Sequence, residues 1–255
     1  MKRHWLKLTL LGVTAFIATL IATFPAVQAW QLLAPRLSLP ATPYQLSGTI
    51  WSGHAGTLLY RSRDMGALQW QLAALPLLTG RVALQWALQQ PDGNLSGGVS
   101  VNGNDITLRD VSGRLPASQL MLFNQGLPIA VDGELSLNFA SVQLPDKAAP
   151  IIDGTMVWNR ALLVAGQAMP LGDLKLTLQP GAQGGSEGRI SDAGGPLEIS
   201  GTVTLDNNRR YRIDAHLRAR PSADGGLTKA LGMLGRPDAR GFVRLQYQGL
   251  LYGGR

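Results

Sequence analysis

Cysteine does not occur anywhere in the 255 residues. Its absence excludes disulfide staples and thiolate metal sites, so the folded body must hold itself together by burial alone. Histidine occurs three times, at His4, His54 and His216, with no carboxylate–histidine ligand spacing nearby. The 16 acidic residues form no Asp or Glu pair at catalytic or metal spacing on a recognisable element. No phosphate loop ending in Gly-Lys-Ser or Gly-Lys-Thr is present, and no Gly-x-Ser-x-Gly nucleophile elbow. The run from Gly181 to Gly188 is Gly-rich but lacks Lys, and reads as a surface loop. His216 falls in the polar register between Ala215 and Leu217, as a solvent-facing strand residue, and His54 sits in a Gly-flanked turn, Ser52-Gly53-His54-Ala55-Gly56. The expectation is a protein that is not an enzyme, with no catalytic, cofactor-binding or metal-ligating residues and no cofactor.

Charge is scarce too, at 15% of the chain, with a formal net charge of +7. Three of the basic residues lie in the first thirty positions, which hold no acidic residue. The remainder carries 20 basic and 16 acidic side chains, mostly Arg scattered among alternating segments rather than clustered. Nucleic acid is therefore not an expected partner.

What the chain has in quantity begins at Leu8. From Leu8 to Val27 it holds Leu, Ile, Val, Ala, Phe, Gly and Thr with Pro25 and no charge. Twenty residues of helix span roughly 30 Å, the hydrocarbon thickness of a bilayer. Lys2, Arg3 and Lys7 precede this run and the next basic residue is Arg36, an asymmetry that keeps the N-terminus cytoplasmic. Trp5 and Trp30 flank it where an aromatic belt would lie. Small residues at Val27-Gln28-Ala29 also fit a cleavable secretory signal, but the apolar run exceeds the usual signal core. The expected organisation is a cytoplasmic tail over 1–7, a transmembrane anchor over 8–29, a Pro-rich spacer over 30–43 and a periplasmic β domain over 44–255.

From Tyr44 onward the apolar period is 2. Leu68, Trp70 and Leu72 share one face; Val82, Leu84, Trp86 and Leu88 do the same, as do Leu135, Leu137 and Phe139. Leu174, Leu176 and Leu178 follow, then Tyr211, Ile213, Ala215 and Leu217, and last Val243, Leu245 and Tyr247. Runs of this length bounded by Gly, Pro, Asn or Asp are half-buried antiparallel strands. Asn102-Gly103 and Asp92-Gly93 are tight-turn signals, and Asp206-Asn207-Asn208 a weaker one. Inward positions for Trp70 and Trp86 indicate core packing; with Trp51 and Trp158 the alternative is an aromatic face for a partner or lipid chain.

A five-residue pattern of apolar, Ser or Asp, Gly, Thr or Glu, apolar occurs at Leu46–Ile50, Val131–Leu135, Ile152–Met156 and Ile199–Val203. Glycine within a strand marks a bulge or a close backbone approach, so each copy is expected to kink its strand at an equivalent place. Two short helices are expected: Ala117 to Gln125 after Pro116, and an amphipathic one carrying Leu227, Ala230, Leu231 and Leu234. The second should cap one end of the sheet, or dock a partner or the lipid surface.

These residues resemble the type II secretion system protein N family, bacterial inner-membrane components of the general secretory pathway. The resemblance rests on the anchor and Leu39-Pro40, then Leu46-Ser47-Gly48-Thr49-Ile50-Trp51-Ser52-Gly53-His54-Ala55. It continues through Trp70 and Trp86 with Leu75-Pro76-Leu77-Leu78-Thr79-Gly80 between them, and through Gly113-Arg114-Leu115-Pro116-Ala117-Ser118-Gln119-Leu120 to Gly126-Leu127-Pro128. It is clearest over 1–140. The resemblance implies an accessory component of the machine that exports folded proteins, acting by partner contact and carrying no catalytic residues. The second half also looks like the C-terminal parts of AsmA-like proteins, which implies a curved β-groove for lipid.

The combined expectation is a mainly β protein: a curved, twisted, groove-like antiparallel sheet with one or two short helices behind an N-terminal transmembrane helix. Its place would be the bacterial cell inner membrane, single-pass, with the body periplasmic. Its partners would be other secretion-system proteins, inner-membrane components first and the outer-membrane secretin as a further candidate, with lipid contact as the other option.

Overall fold

The computed structural model describes residues 2–36, 41–60, 63–122, 130–146, 148–165 and 167–251. Leu39-Pro40 and Gly126-Leu127-Pro128 lie outside them. The chain forms two compact units, Met1–Pro91 and Asp92–Arg255. Both contain antiparallel strands and short helices, and the first also carries a 21-residue N-terminal helix.

The first unit opens with α1 (Lys2–Ala22), which ends before Pro25, and α2 (Ala26–Leu33) follows directly. The anchor and spacer boundaries read from sequence therefore do not coincide with helix boundaries: 26–33 is helical, and Pro35 sits in a 3-10 turn over Ala34–Arg36. Pro25 is extended and precedes α2, where its fixed φ and missing N–H are tolerated. Among the described residues no helix is long and apolar enough to cross a membrane, a statement that does not bear on β-barrels. Next come β1 (Ala41–Gly48), β2 (Ser52–Tyr60), the two-residue β3 (Arg63–Asp64) and β4 (Ala67–Leu72). A single helical turn, α3 (Ala74–Leu77), leads to β5 (Arg81–Gln90). Strand β2 pairs with β1 on one side and β4 on the other, and β4 pairs with β5, bringing Trp70 opposite Trp86.

The second unit is a meander of β6 (Gly93–Asn102), β7 (Asp105–Pro116), β8 (Ala130–Leu144), β9 (Ile151–Ala165) and β10 (Gln167–Pro180). It continues through β11 (Ser186–Asp192), β12 (Leu197–Leu205) and β13 (Arg210–Ala219) to α4 (Gly225–Leu234) and β14 (Val243–Leu250). Each strand pairs with the next in sequence. The turn at Asn102-Gly103 joins β6 to β7, and Asp206-Asn207-Asn208 joins β12 to β13. In the latter, the Asp206 carboxylate accepts the amides of Asn208 (2.8 Å) and Arg210 (2.9 Å). Of the helix expected over Ala117 to Gln125, the described part, Ala117–Leu122, is a 3-10 turn, and residues 123–125 lie outside the described ones.

The core of this unit gathers where α4 lies. Leu227 and Leu231 of α4 pack with Ala161, Leu171, Leu197, Ala215, Leu217 and Val243. Asp224 caps the helix, its carboxylate accepting the Leu227 amide at 2.8 Å. Burying two leucines contributes about 1.5–3 kcal/mol each, enough to hold a ten-residue helix that would be marginal alone.

The glycine pattern does not act at equivalent places. Gly133 has φ +108° and sits at a bulge between Asp132 and Glu134, where β8 slips against β9. Gly154 faces the residue before another bulge, between Phe139 and Ser141, and Gly48 closes β1. Gly201 is regular strand: a Cβ there would lie 2.6 Å from the Asp214 carbonyl oxygen and 2.7 Å from the Ala215 Cα. The shared glycine thus serves a bulge in one copy and a close approach of backbone in another.

Candidate functional site

The histidines come first. His54 is not in a turn: it lies within β2, opposite Ser47 of β1 and Gln69 of β4. Gly53 beside it is required because a Cβ would fall 2.2 Å from the Trp70 ring, so the glycine reflects packing rather than a turn. The depression next to His54, about 310 Å³, is lined by Ser47, Gly53, Gln69 and Trp70 and contains no other ionisable side chain. His216 is exposed on β13, on the polar face predicted from its register.

Pair registers define that face and its opposite. Across the second unit, Leu137 faces Met156, Met156 faces Leu176, Leu176 faces Ile190, Ile190 faces Gly201, Gly201 faces Ala215, and Ala215 faces Leu245. One residue along, the row reads Asn138, Thr155, Thr177, Arg189, Thr202, Asp214 and Gln246. One side of seven consecutive strands is therefore apolar and the other polar. Leu137, Met156, Leu176 and Ile190 are only half-buried, whereas Ala215, beneath α4, is 1% exposed. Among the described residues, α4 covers the apolar side only at the end where Leu171, Leu197, Leu217 and Val243 gather.

The second surface is the edge of β14, which has β13 as its one strand neighbour among the described residues. Leu251 donates its amide to the Arg209 carbonyl at 2.7 Å, and Leu250 lies opposite Arg210. Hydrogen-bonding direction alternates along an antiparallel strand. Val243, Leu245, Tyr247 and Gly249 therefore direct N–H and C=O toward β13, and Arg244, Gln246, Gln248 and Leu250 direct theirs to the open side. The polar side chains do not shield this edge. Arg244 donates Nε to Asp214 Oδ1 (2.9 Å) and Nη2 to Oδ2 (2.5 Å), and Gln246 donates Nε2 to Oδ2 (3.2 Å). The Arg244 guanidinium, and after it the Gln246 amide, hold the Asp214 carboxyl well below the usual carboxylate range. An exposed pair of this kind adds little stability. Its effect is positional: both side chains are drawn back over β13. On the apolar side, Tyr247 is 58% exposed and its ring lies 5.8 Å from Tyr211.

Further polar contacts brace the β11–β13 end beside α4. The Asp192 carboxylate accepts from the Ile199 amide (3.0 Å), the Gly194 amide (3.1 Å) and Arg220 Nη2 (2.7 Å). Burial alone would raise the Asp192 pKa, but these donors, led by Ile199 and then Arg220, bring it below the usual value. Arg218 bonds Glu198 and stacks on Phe242, its guanidinium carbon 4.4 Å from the ring centre. In the first unit, the Trp51 indole donates to the Ile21 carbonyl at 2.8 Å and the Ile50 amide to Phe24 at 3.0 Å, stitching the end of α1 to the β1–β2 turn. The sequence around Trp51 suggests packing or an aromatic face; its bond to the end of α1 arises only from the fold.

The family described as "Type II secretion system (T2SS), protein N" matches residues 42–246. The type II secretion system protein N of Aeromonas hydrophila is 30% identical over 251 residues, 94% of this chain and 96% of the relative. Its counterpart in Klebsiella pneumoniae is 26% identical over 259 residues, 97% and 96% of the two chains. That of Pectobacterium carotovorum subsp. carotovorum is 22% identical over 249 residues, 94% and 98% of the two. No solved structure matches.

Proposed function

Because the chain belongs to the type II secretion system protein N family, we propose that it is an inner-membrane-anchored accessory component of the type II secretion system, with its body in the periplasm. It supports export of folded proteins across the outer membrane through protein–protein contacts, and it catalyses nothing. The observation carrying the reading is the family match over 42–246 together with the unshielded edge of β14. An open strand edge takes up an extended partner segment through main-chain hydrogen bonds.

The anchor in this proposal is the N-terminal helix. Every described side chain from Leu11 to Thr23 is exposed, Leu11 at 67% and Phe16 at 68%. A helix that is apolar all round and uncovered by its own chain needs an apolar medium. Thr19 and Thr23 donate their hydroxyls to the carbonyls of Ala15 (2.9 Å) and Thr19 (2.8 Å), so neither presents an unmet donor to that medium.

A second reading, an AsmA-like protein that binds or moves lipid between membranes, is favoured by the half-buried apolar side of the second unit. One experiment separates the two. Deleting the gene should leave exoproteins in the periplasm instead of the medium, and the purified protein should carry no stoichiometric phospholipid. Normal secretion combined with co-purifying phospholipid would favour the carrier.

A further inference from the structure

We propose that the α3 loop between β4 and β5 is a second membrane contact, dipping its leucines into the lipid interface beside the point where α1 meets the strands. This inference rests on the anchored reading above, and on observations of its own.

The loop is built unlike a soluble hairpin tip. No charged residue occurs between Asp64 and Arg81, and the tip reads Ala73-Ala74-Leu75-Pro76-Leu77-Leu78-Thr79-Gly80. Leu75 is 78% exposed and Leu78 84%, and Val82 at the base is 41% exposed. Nearly complete exposure of two neighbouring leucines on a charge-free tip calls for an apolar partner. Thr79 donates its hydroxyl to the Pro76 carbonyl at 2.9 Å, and the amides of Leu78, Thr79 and Gly80 bond within the tip. Its polar groups are thus largely satisfied internally and its outer surface is left to leucine.

The position of the loop selects lipid as that partner. Gln71 pairs with Ser52, and the Leu72 amide donates to the Trp51 carbonyl at 2.7 Å. Trp51 in turn donates its indole N–H to Ile21 at the end of α1, and Pro25 bridges to Thr49. The loop therefore leaves the strands at the same end where α1 arrives, two residues from a tryptophan bonded to that helix. If α1 is in the bilayer, this end of the unit meets its surface. Arg81 is exposed at the base of the loop and has no ion-pair partner among the described residues, and a lipid phosphate is the complementary charge. Tryptophan, exposed leucines and an unpaired arginine together are the composition of a membrane-interface element.

The absence of cysteine makes the test direct. Single cysteines at Leu78, Phe16 and Gln89 of the full chain carry an environment-sensitive fluorophore after reconstitution into phosphatidylethanolamine–phosphatidylglycerol vesicles. Gln89 is exposed at the opposite end of β5, paired with Ala67, and serves as the water reference. The expected result is blue-shifted emission at position 78, quenched by a shallow lipid-borne quencher, with position 16 quenched by a deep one and position 89 by neither. Quenching at 16 with a water-like signal at 78 overturns the loop contact and leaves the anchor standing. Quenching at 78 but not at 16 supports the loop contact and overturns the anchor. A blue shift at 78 without lipid quenching means that protein covers the loop, and also overturns the proposal.

Discussion

Asp214 on β13 grips Arg244 on β14 through both carboxylate oxygens, at 2.9 and 2.5 Å, although the residue directly opposite Asp214 is Gln246. The diagonal contact folds a long cationic side chain back over the sheet. Charged side chains at sheet edges normally discourage strand addition. Here the charge is neutralised and withdrawn, and the backbone edge of Arg244, Gln246, Gln248 and Leu250 is left accessible.

Proline scanning separates the two sides of this strand. Gln246→Pro removes an amide that points to the open side, so the β13–β14 ladder survives and stability falls by about 1 kcal/mol or less. Tyr247→Pro removes an inward ladder bond and costs about 3 kcal/mol. Denaturant unfolding of both variants checks the assignment; equal losses would contradict the derived direction of the hydrogen bonds. In cells, Gln246→Pro should accumulate normally and still fail to support secretion.

Gly133→Ala tests the bulge in β8. An alanine there would have to keep φ +108° and place its Cβ 2.6 Å from the Asn159 carbonyl oxygen and 2.7 Å from that of Arg160. Strain of this kind costs about 1–3 kcal/mol, so a lowered thermal midpoint with secondary structure retained is expected. An unchanged midpoint would show that the strand relaxes freely at this point.

Acid sensitivity should include a contribution from Asp192. Its pKa in the folded protein lies below the unfolded value, so its stabilisation is fully present above the ordinary carboxylate range. It is lost as pH falls toward the lowered folded value. Asp192→Asn should cost about 1–2 kcal/mol at pH 7, from charge-assisted hydrogen bonds to the Ile199 amide and Arg220. The variant should also lose less stability than wild type between pH 5 and the acid limit. Urea midpoints measured across that range decide the sign.

The cap and seat of α4 are separable. Asp224→Ala should cost about 1 kcal/mol, through the lost bond to Leu227. Leu231→Ala should cost about 2–5 kcal/mol, since the leucine is 7% exposed within the main cluster. Circular dichroism melts give both values.

Much of this fold was legible because its contacts are local. The meander pairs each strand of the second unit with its sequence neighbour, so alternation in Leu135–Phe139 or Tyr211–Leu217 and a turn such as Asn102-Gly103 suffice to place them. His54 looks like a turn residue in the sequence because Gly53 reads as punctuation. The glycine is there to admit the Trp70 ring, and pairing on both sides of β2 overrides its low strand propensity. The Pro-rich spacer expected over 30–43 begins inside α2 (Ala26–Leu33), because its prolines start at Pro35 and none falls within residues 30–33. The edge clasp was hidden for another reason: Asp214 and Arg244 are brought together across α4 and its flanking turns, and no short-range pattern sets that register.

The central claim is that this protein works by offering the β14 edge to another secretion protein. The most direct test places a photo-crosslinking side chain at Gln248, whose backbone N–H and C=O face the open edge of β14, in cells making the complete secretion system. A covalent adduct with a secretion-system component, lost when Gln246→Pro is added, is the predicted result. Undiminished secretion by the Gln246→Pro protein, with no protein adduct at position 248, would contradict the account.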